Sequence, residues 1–143
     1  YYTGENGEKK LPYIIHRTSL GCYERTLAYL IEHYAGALPT WMAPEQVRFL
    51  PVTDRAVDYC KEQAAKLTAQ GYRVTVDTRS EKIGKKIRDA QMEKIPYMLV
   101  VGDRDIEAGT VSPRHRADGD LGAMTLDAFT AVLKDVVDNK LQK

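Results

Sequence analysis

Beyond residue 45, the apolar positions alternate between short continuous runs and helical spacing. The runs at 46–50, 73–77 and 97–101 predict strands, and the last is apolar throughout, as in a strand covered on both faces. Between them, apolar residues recur every three or four positions over 55–70 and 80–94, which predicts two helices. Strands joined through helices in this order run parallel. The pattern therefore predicts an α/β fold with a mixed sheet of about five strands and helices on its faces.

The helix predicted at 55–70 has one apolar face. Thr53 or Asp54 is placed to cap its start, and Gly71 to end it. The residues at helical spacing on that face are Val57, Cys60, Ala64 and Leu67. Cys60 is thus predicted to be a small core residue rather than a reactive thiol.

The end of the chain continues the alternation. Two short strands are predicted at 105–108 and 110–114, on either side of Gly109. Thr125 is placed to cap a last helix. The residues of that helix predicted to face inward are Leu126, Phe129, Leu133 and Val136.

The first 45 residues follow a different pattern. Segments 1–2 and 11–16 are β-like and are separated by Asn6-Gly7, a dipeptide typical of hairpin turns. A helix is predicted from Gly21 to Gly36, with an apolar stripe of Tyr23, Leu27, Leu30, Ile31 and Tyr34. Residues 37–45 contain two prolines and no periodicity, which predicts a linker packed down through Trp41. Because the sequence opens in mid-strand without methionine, we expect a piece of a longer protein.

Composition limits the class of protein. A chain of 143 residues that is 43% hydrophobic can bury one ordinary core plus an extension. A formal net charge of +1 argues against a uniformly basic, histone-like nucleic-acid binder. Two cysteines and no charged-then-apolar leader favour a reducing cytoplasm, and no apolar run reaches the roughly 20 residues of a membrane span.

The strongest local signal is a cluster of positive charge at 79–88. Ile83, Ile87 and Ala90 predict a helix starting near Ser80 that holds its cations outside the apolar stripe. The segment carries one anion, Glu81, against five cations: Arg79, Lys82, Lys85, Lys86 and Arg88. Taken singly, such lysines are usually only the solvated face of a helix.

Further polar residues are expected beside this cluster, at one edge of the sheet: Asp77, Arg79, Arg104, Asp105, Arg114 and Arg116. Cations for phosphates beside mixed donors and acceptors for base edges would suit an unstacked RNA loop. The sequence therefore favours local, shaped contact with RNA.

Other chemistries are less well supported. No G-x-G-x-x-G follows a strand and no P-loop motif is present, which disfavours a nucleotide-binding module. Ser19 and Ser112 have no base near them in sequence, so a nucleophile site is neither supported nor excluded. His16, His33 and His115 are too scattered to define a metal site, and a lone histidine ending a strand is more often structural.

Six segments together resemble the C-terminal end of the threonyl-tRNA synthetase family: HRTSLGCYER at 16–25, LIEHYAG at 30–36, WMAP at 41–44, EKIG at 81–84, KIR at 86–88 and IPYMLVVGD at 95–103. The resemblance covers nearly the whole chain. It implies that 1–36 is the end of a class II catalytic core, 37–45 a linker, and 46–143 a three-layer anticodon-binding domain.

The resemblance also implies a function: recognition of tRNA(Thr) for ATP-dependent threonylation by a cytoplasmic homodimer that uses zinc and ATP with magnesium. Arg25 would contact an ATP phosphate, and His16 would be one of three zinc ligands. The other two ligands are not in this sequence, so we expect neither tight zinc binding nor catalysis from this piece alone. The alternative is a non-catalytic adaptor or accessory subunit, against which the segment ending in Arg25 argues, because an adaptor needs no ATP contact.

For RNA, the resemblance points to Ser80, Arg88, Asp105 and Arg114 as contacts of the middle and third anticodon bases, guanine and uracil. Ser80 stands where the family usually has asparagine, and Asp105 where it has glutamate. Both replacements keep a hydrogen-bonding group but change its reach.

Overall fold

The computed structural model describes residues 1–18 and 21–142. In these residues the chain forms β1 (Tyr2–Thr3), β2 (Lys9–Lys10), α1 (Tyr23–His33), β3 (Val47–Pro51), α2 (Arg55–Ala69), β4 (Val74–Val76), α3 (Ile83–Met92), β5 (Tyr97–Val101), α4 (Asp103–Ala108), β6 (Thr110–His115), β7 (Gly119–Asp120), β8 (Met124–Thr125) and α5 (Leu126–Asp138).

The main sheet has the order β4-β3-β5-β6-β7, and β8 also pairs with β6. β3 lies parallel to both β4 and β5, whereas β6 is antiparallel to β5. The predicted α/β fold with a mixed sheet is confirmed. All three parallel strands end at one edge of the sheet, which we call the carboxyl edge.

Helices cover both faces of this sheet. On one face, α2 and α5 bury the alternate side chains of the strands in a large cluster that includes Phe49, Tyr97, Leu99, Phe129 and Leu133. On the other face, α3 covers a smaller cluster of Leu50, Ala90, Ile95 and Met98, with Ile83, Ile87 and Val100 at its margin. The result is three layers, with α3 alone on the second face among the described helices that pack in these two clusters.

In strand β6, buried side chains alternate with half-buried ones. Val111, Pro113 and His115 are buried on the α2–α5 side, whereas Thr110, Ser112 and Arg114 are only half-buried on the α3 side. Helix α3 packs chiefly over β3, and the row of Thr110, Ser112 and Arg114, here named the β6 strip, stays half-buried and therefore partly accessible to a ligand.

The strand predicted at 105–108 is wrong, because this segment is helix α4. Gly102 is its N-cap, and the carboxylate of Asp105, three positions later, accepts from the Gly102 N–H at 2.9 Å. Acidic groups in a first helical turn are stabilised by the free N–H groups there. Gly109 ends the helix with a φ of 65°. Six residues are too few to show a helical period in the sequence.

Helix α3 differs from its prediction in two ways. It begins at Ile83 rather than near Ser80, and Lys86, predicted on the charged outer face, lies on the inner side and is only 4% exposed. The Lys86 ammonium donates to the carbonyls of Pro51 at 3.1 Å and Asp77 at 3.2 Å. It thereby joins α3 to the carboxyl ends of β3 and β4.

The amino-terminal part is loosely packed. The predicted hairpin forms around Gly7, but its second strand is Lys9–Lys10, and 11–16 is not a strand. Helix α1 contains no buried residue, and Tyr23 on its apolar stripe is 72% exposed. In the linker, by contrast, Thr40 and Ala43 are buried and Trp41 is half-buried, as predicted for a packed segment.

The last helix matches its prediction. The Thr125 hydroxyl caps α5 by accepting from the Ala128 N–H at 3.3 Å. The residues buried on α5 are the four that its spacing predicts: Leu126, Phe129, Leu133 and Val136.

The two thiols are expected to react very differently. Cys60 is fully buried, and burial raises the pKa of its thiol to about 12, whereas Cys22 is exposed and donates to Glu24. Because the thiolate is the reactive form, a disulfide reagent such as DTNB at pH 8 should modify one thiol per native chain and both in denaturant. Equal rates for two thiols in the native chain would contradict the burial of Cys60.

Candidate nucleic-acid interface

Three of the five cations in the predicted positive cluster are ion-paired or buried within the fold. Arg79 pairs with Asp77 at 2.6 Å and with Asp89 at 2.9 Å, and Lys85 pairs with Glu81 at 2.6 Å. The bidentate bond from Arg79 holds the pKa of the Asp77 carboxyl below its ordinary value. With Lys86 buried as well, the field of 79–88 is weaker than the count of cations predicts.

Three cations on this part of the surface keep their charge available. Among the described residues, no carboxylate lies within ion-pair distance of Lys82, Arg88 or Arg114. Arg88 is exposed on α3, next to Asp89, which reaches Arg79 on the β4 side. Consecutive helical residues are about 100° apart, so Arg88 lies on the outer surface of α3, toward the flank that faces β6.

Arg114 belongs to the β6 strip. It pairs opposite Met98 on β5 and opposite Asp120 on β7, and its side chain is half-buried. Ser112 lies on the same face two residues away, about 7 Å along the strand. Because Arg114 is half-buried and the described part of the chain places no carboxylate within ion-pair distance of it, its guanidinium can donate to a phosphate or a base edge.

Asp105 is connected to the same strip. Its carboxylate accepts from the Thr110 hydroxyl at 3.3 Å and the Ser112 hydroxyl at 3.0 Å, besides the Gly102 N–H that it caps. A carboxylate has about four acceptor positions, so one is left for a ligand. Asp105 therefore acts in the fold mainly by fixing the hydroxyls beside Arg114.

Ser80 lies elsewhere, at the carboxyl edge. It lines an open cleft of about 490 Å³ between the end of β3 and the start of α3. The lining residues are Pro51, Val52, Thr53, Asp54, Arg79, Ser80, Glu81, Lys82 and Lys86. The lining of this cleft is polar and of mixed charge, with two lysines and one arginine beside two carboxylates.

The expectation that all polar groups reach one edge is wrong for the last strand. Because β6 is antiparallel to β5, the chain runs away from the carboxyl edge after Thr110. The Arg116 N–H bonds to Pro96, at the opposite edge. The structure thus joins Asp105 and Arg114 through the strip, with Arg88 on the adjacent helix and Ser80 in a separate cleft. Sequence reasoning missed Thr110 and the joining role of Ser112, although the period-two alternation of 110–115 was a usable signal.

The predicted catalytic and zinc residues lie on the amino-terminal part. Arg25 is exposed on α1 and lines a shallow groove of about 390 Å³ with Gly21, Cys22, Thr26 and Tyr29. His16 is exposed. In 1–18 and 21–142 there is no group of three or more His, Cys, Asp or Glu side chains that could hold a metal. Ser19 falls outside the described residues.

None of the helices in the described ranges is long and apolar enough to cross a membrane.

Comparisons with known proteins agree with this geometry. The family described as "Anticodon binding domain" matches residues 46–136. A threonine–tRNA ligase of Clostridium perfringens is 57% identical over 129 residues, covering 90% of this chain and 20% of that protein. A threonine–tRNA ligase of Clostridium botulinum is 50% identical over 139 residues, covering 97% of this chain and 22% of that protein. The chain thus spans about a fifth of the length of these curated relatives.

A solved structure gives the same result for the fold. The RNA binding domain of threonyl-tRNA synthetase from Cryptosporidium parvum superposes with a TM-score of 0.75 at 32% identity. The match covers 78% of this chain and 28% of that chain.

Proposed function

This chain belongs to the anticodon-binding domain family, and on that premise we propose that it recognises the anticodon loop of tRNA(Thr) as the C-terminal part of a threonine–tRNA ligase. The observation that carries the proposal is the β6 strip. It offers an arginine that has no carboxylate within ion-pair distance among the described residues, beside two fixed hydroxyls, on a face that α3 leaves partly accessible.

Recognition would divide between phosphates and bases. Lys82 and Arg88 are exposed cations on the α3 layer and are placed to attract the RNA backbone. Arg114 and Ser112, with the remaining acceptor position of Asp105, are held on a strand and can meet the edge of an unstacked base. Ser80 supplies a hydroxyl in the neighbouring cleft, where the resemblance places a second base contact.

The activity of the whole enzyme is also part of the proposal. Relatives at 50 to 57% identity are threonine–tRNA ligases, which favours a ligase over a non-catalytic adaptor. Arg25 is exposed and would contact an ATP phosphate during the activation of threonine. His16 would bind zinc only together with two further ligands that are not in this sequence. A homodimer in the cytoplasm is the expected assembly, by the same resemblance.

Filter binding tests the RNA claim on this chain. The two RNAs are the anticodon stem-loop of tRNA(Thr) and the same hairpin with its middle and third anticodon bases replaced. We expect the cognate hairpin to bind at least about tenfold more tightly, because one mismatched contact typically costs about 1 to 3 kcal/mol.

A third hairpin, with the cognate anticodon and an altered stem, is the control and should bind like the first. All three are compared at one salt concentration, because phosphate contacts make affinity depend on salt. Equal affinity for cognate and replaced anticodons would leave only electrostatic binding and would remove the claim that bases are read.

A further inference from the structure

Two cations of the anticodon-binding domain hold the carboxyl end of α1. Nη2 of Arg116 donates to the Ala37 carbonyl at 2.9 Å, and Nζ of Lys94 donates to the Ala35 carbonyl. The two arms are joined to each other, because Nη1 of Arg116 donates to the Lys94 carbonyl at 3.0 Å. We call this set of bonds the α1 clasp.

The electrostatics of the clasp are unusual for a half-buried arginine. Among the described residues no carboxylate pairs with Arg116, and burial lowers the pKa of its guanidinium. Its partners are carbonyls, including one just past the end of a helix, where the aligned peptide dipoles leave partial negative charge. The Arg116 guanidinium thus donates to backbone carbonyls rather than to a surface carboxylate.

Helix α1 ends in a hydrogen-bonded turn. Ala35 and Gly36 both have positive φ, 49° and 78°, and the Gly36 N–H returns to the Ile31 carbonyl at 2.8 Å. This is the bonding pattern of a helix closed by a left-handed turn. Because this turn is bonded back to α1, a displacement of the Ala35 or Ala37 carbonyl is expected to move α1 as well.

Each arm of the clasp follows an element that carries a proposed RNA contact. Arg116 comes two residues after Arg114, at the end of β6, and Lys94 comes six residues after Arg88, just beyond α3. On the other side of the clasp, α1 carries Arg25. The clasp is thus a direct connection from the proposed RNA face to the helix of the proposed ATP contact.

The rest of the linker is anchored differently. Arg73 donates to the carbonyls of Ala43 at 2.8 Å and Trp41 at 3.0 Å, and Gln46 donates to the Thr40 carbonyl at 3.0 Å. These anchors come from residues beside β3 and β4, not from the RNA face. A recess of about 210 Å³ adjoins the clasp, lined in part by Gly36, Leu38, Lys94 and Pro96, so this region has room to adjust.

We propose that the α1 clasp couples RNA on the β6 strip to the position of α1, with Arg116 as the positioning residue. The inference rests on the proposed function. RNA that contacts both Arg88 and Arg114 fixes α3 and β6 relative to each other, and the two arms of the clasp leave from these two elements. If the closed clasp binds RNA better, RNA must favour the closed clasp by the same factor.

Hydrogen exchange on this chain tests the coupling. Exchange of the backbone amides at 26–37 is measured with and without saturating anticodon stem-loop RNA. We expect RNA to slow exchange there at least about fivefold in the natural chain, the lower end of ordinary coupling between sites. Arg116→Ala should bind the hairpin and still distinguish anticodons, but should lose this slowing.

Arg73→Ala is the matched control, because it also removes an arginine that bonds two linker carbonyls. It should keep the RNA-dependent slowing even if the linker exchanges faster overall. Arg116→Lys retains a cation able to reach one carbonyl and should give an intermediate effect, which keeps the test decisive if the alanine variant is poorly folded.

The outcomes separate the two proposals. Hairpin binding with the same slowing in Arg116→Ala as in the natural chain would overturn the clasp alone, as would equal loss of slowing in Arg73→Ala. Failure of the natural chain to distinguish anticodons would overturn the proposed function, and the clasp with it.

Discussion

Replacing Lys86 with methionine is expected to lower the free energy of unfolding by about 2 to 4 kcal/mol. Methionine keeps the apolar stem of the side chain but removes the ammonium from the buried carbonyls of Pro51 and Asp77. Each hydrogen bond to a charged group contributes roughly 1.5 to 3 kcal/mol, part of which is offset because a charge no longer has to be buried. Urea unfolding followed by circular dichroism measures the change.

The neighbouring lysine provides the control. Lys85 lies one position earlier on α3 and is 53% exposed, and its one ion pair among the described residues is with Glu81. Lys85→Met should cost less than about 1 kcal/mol, since exposed ion pairs contribute little. Equal losses for the two variants, at equal dependence on urea, would mean that the buried bonds of Lys86 do not join α3 to the sheet.

Arg114→Ala is expected to reduce the preference for the cognate anticodon by about 5- to 160-fold, which corresponds to the roughly 1 to 3 kcal/mol of a base-edge contact. The reason is that Arg114 is the strip residue with an uncommitted charge, whereas Thr110 and Ser112 already donate to Asp105. Affinities for the cognate hairpin and the base-replaced hairpin are measured by filter binding at fixed salt.

Lys61→Ala removes the same formal charge from α2, on the opposite face of the sheet, where the lysine pairs only with exposed Asp58. It should leave the preference for the cognate anticodon unchanged. If Arg114→Ala instead weakens binding equally for both hairpins, and lowers its salt dependence, Arg114 contacts phosphate and not a base.

The elements that could be predicted from sequence are those whose signals agree. In α5, the cap at Thr125 and the spacing of the apolar residues predict the start of the helix and its buried face, and the structure has both. Strand β5 is apolar throughout and its side chains are covered on both faces of the sheet, as its run predicts. Helix α4 has no such agreement, because its six residues are too short for a period and its start is determined by the local bond between Asp105 and Gly102.

Two features of the site depend on tertiary structure alone. The spacing of Lys86 from Ile83 and Ala90 places it on the inner stripe of the helix, whereas its charge favours an exposed position. The ammonium can be buried because it donates to the carbonyls at the ends of β3 and β4, which the sequence does not show. Likewise, the pattern of residues 110–115 does not predict whether β6 runs parallel or antiparallel to β5. Its antiparallel course separates Arg116 from the carboxyl edge and brings Arg114 onto the partly accessible face.

The chemistry of the α1 clasp determines how the molecule should respond to acid. A guanidinium and a peptide carbonyl keep their protonation state from about pH 4 to pH 10, so the bond between Arg116 and Ala37 has no titration in that range. The carboxylate of Asp77 differs: its lowered pKa means that its pairing with Arg79 stabilises the fold above the ordinary carboxyl pKa and is lost as the pH falls below it. Acidification through this lowered pKa, below the ordinary carboxyl range, should therefore loosen the end of β4, whereas the bond between Arg116 and Ala37 involves no carboxylate and should persist.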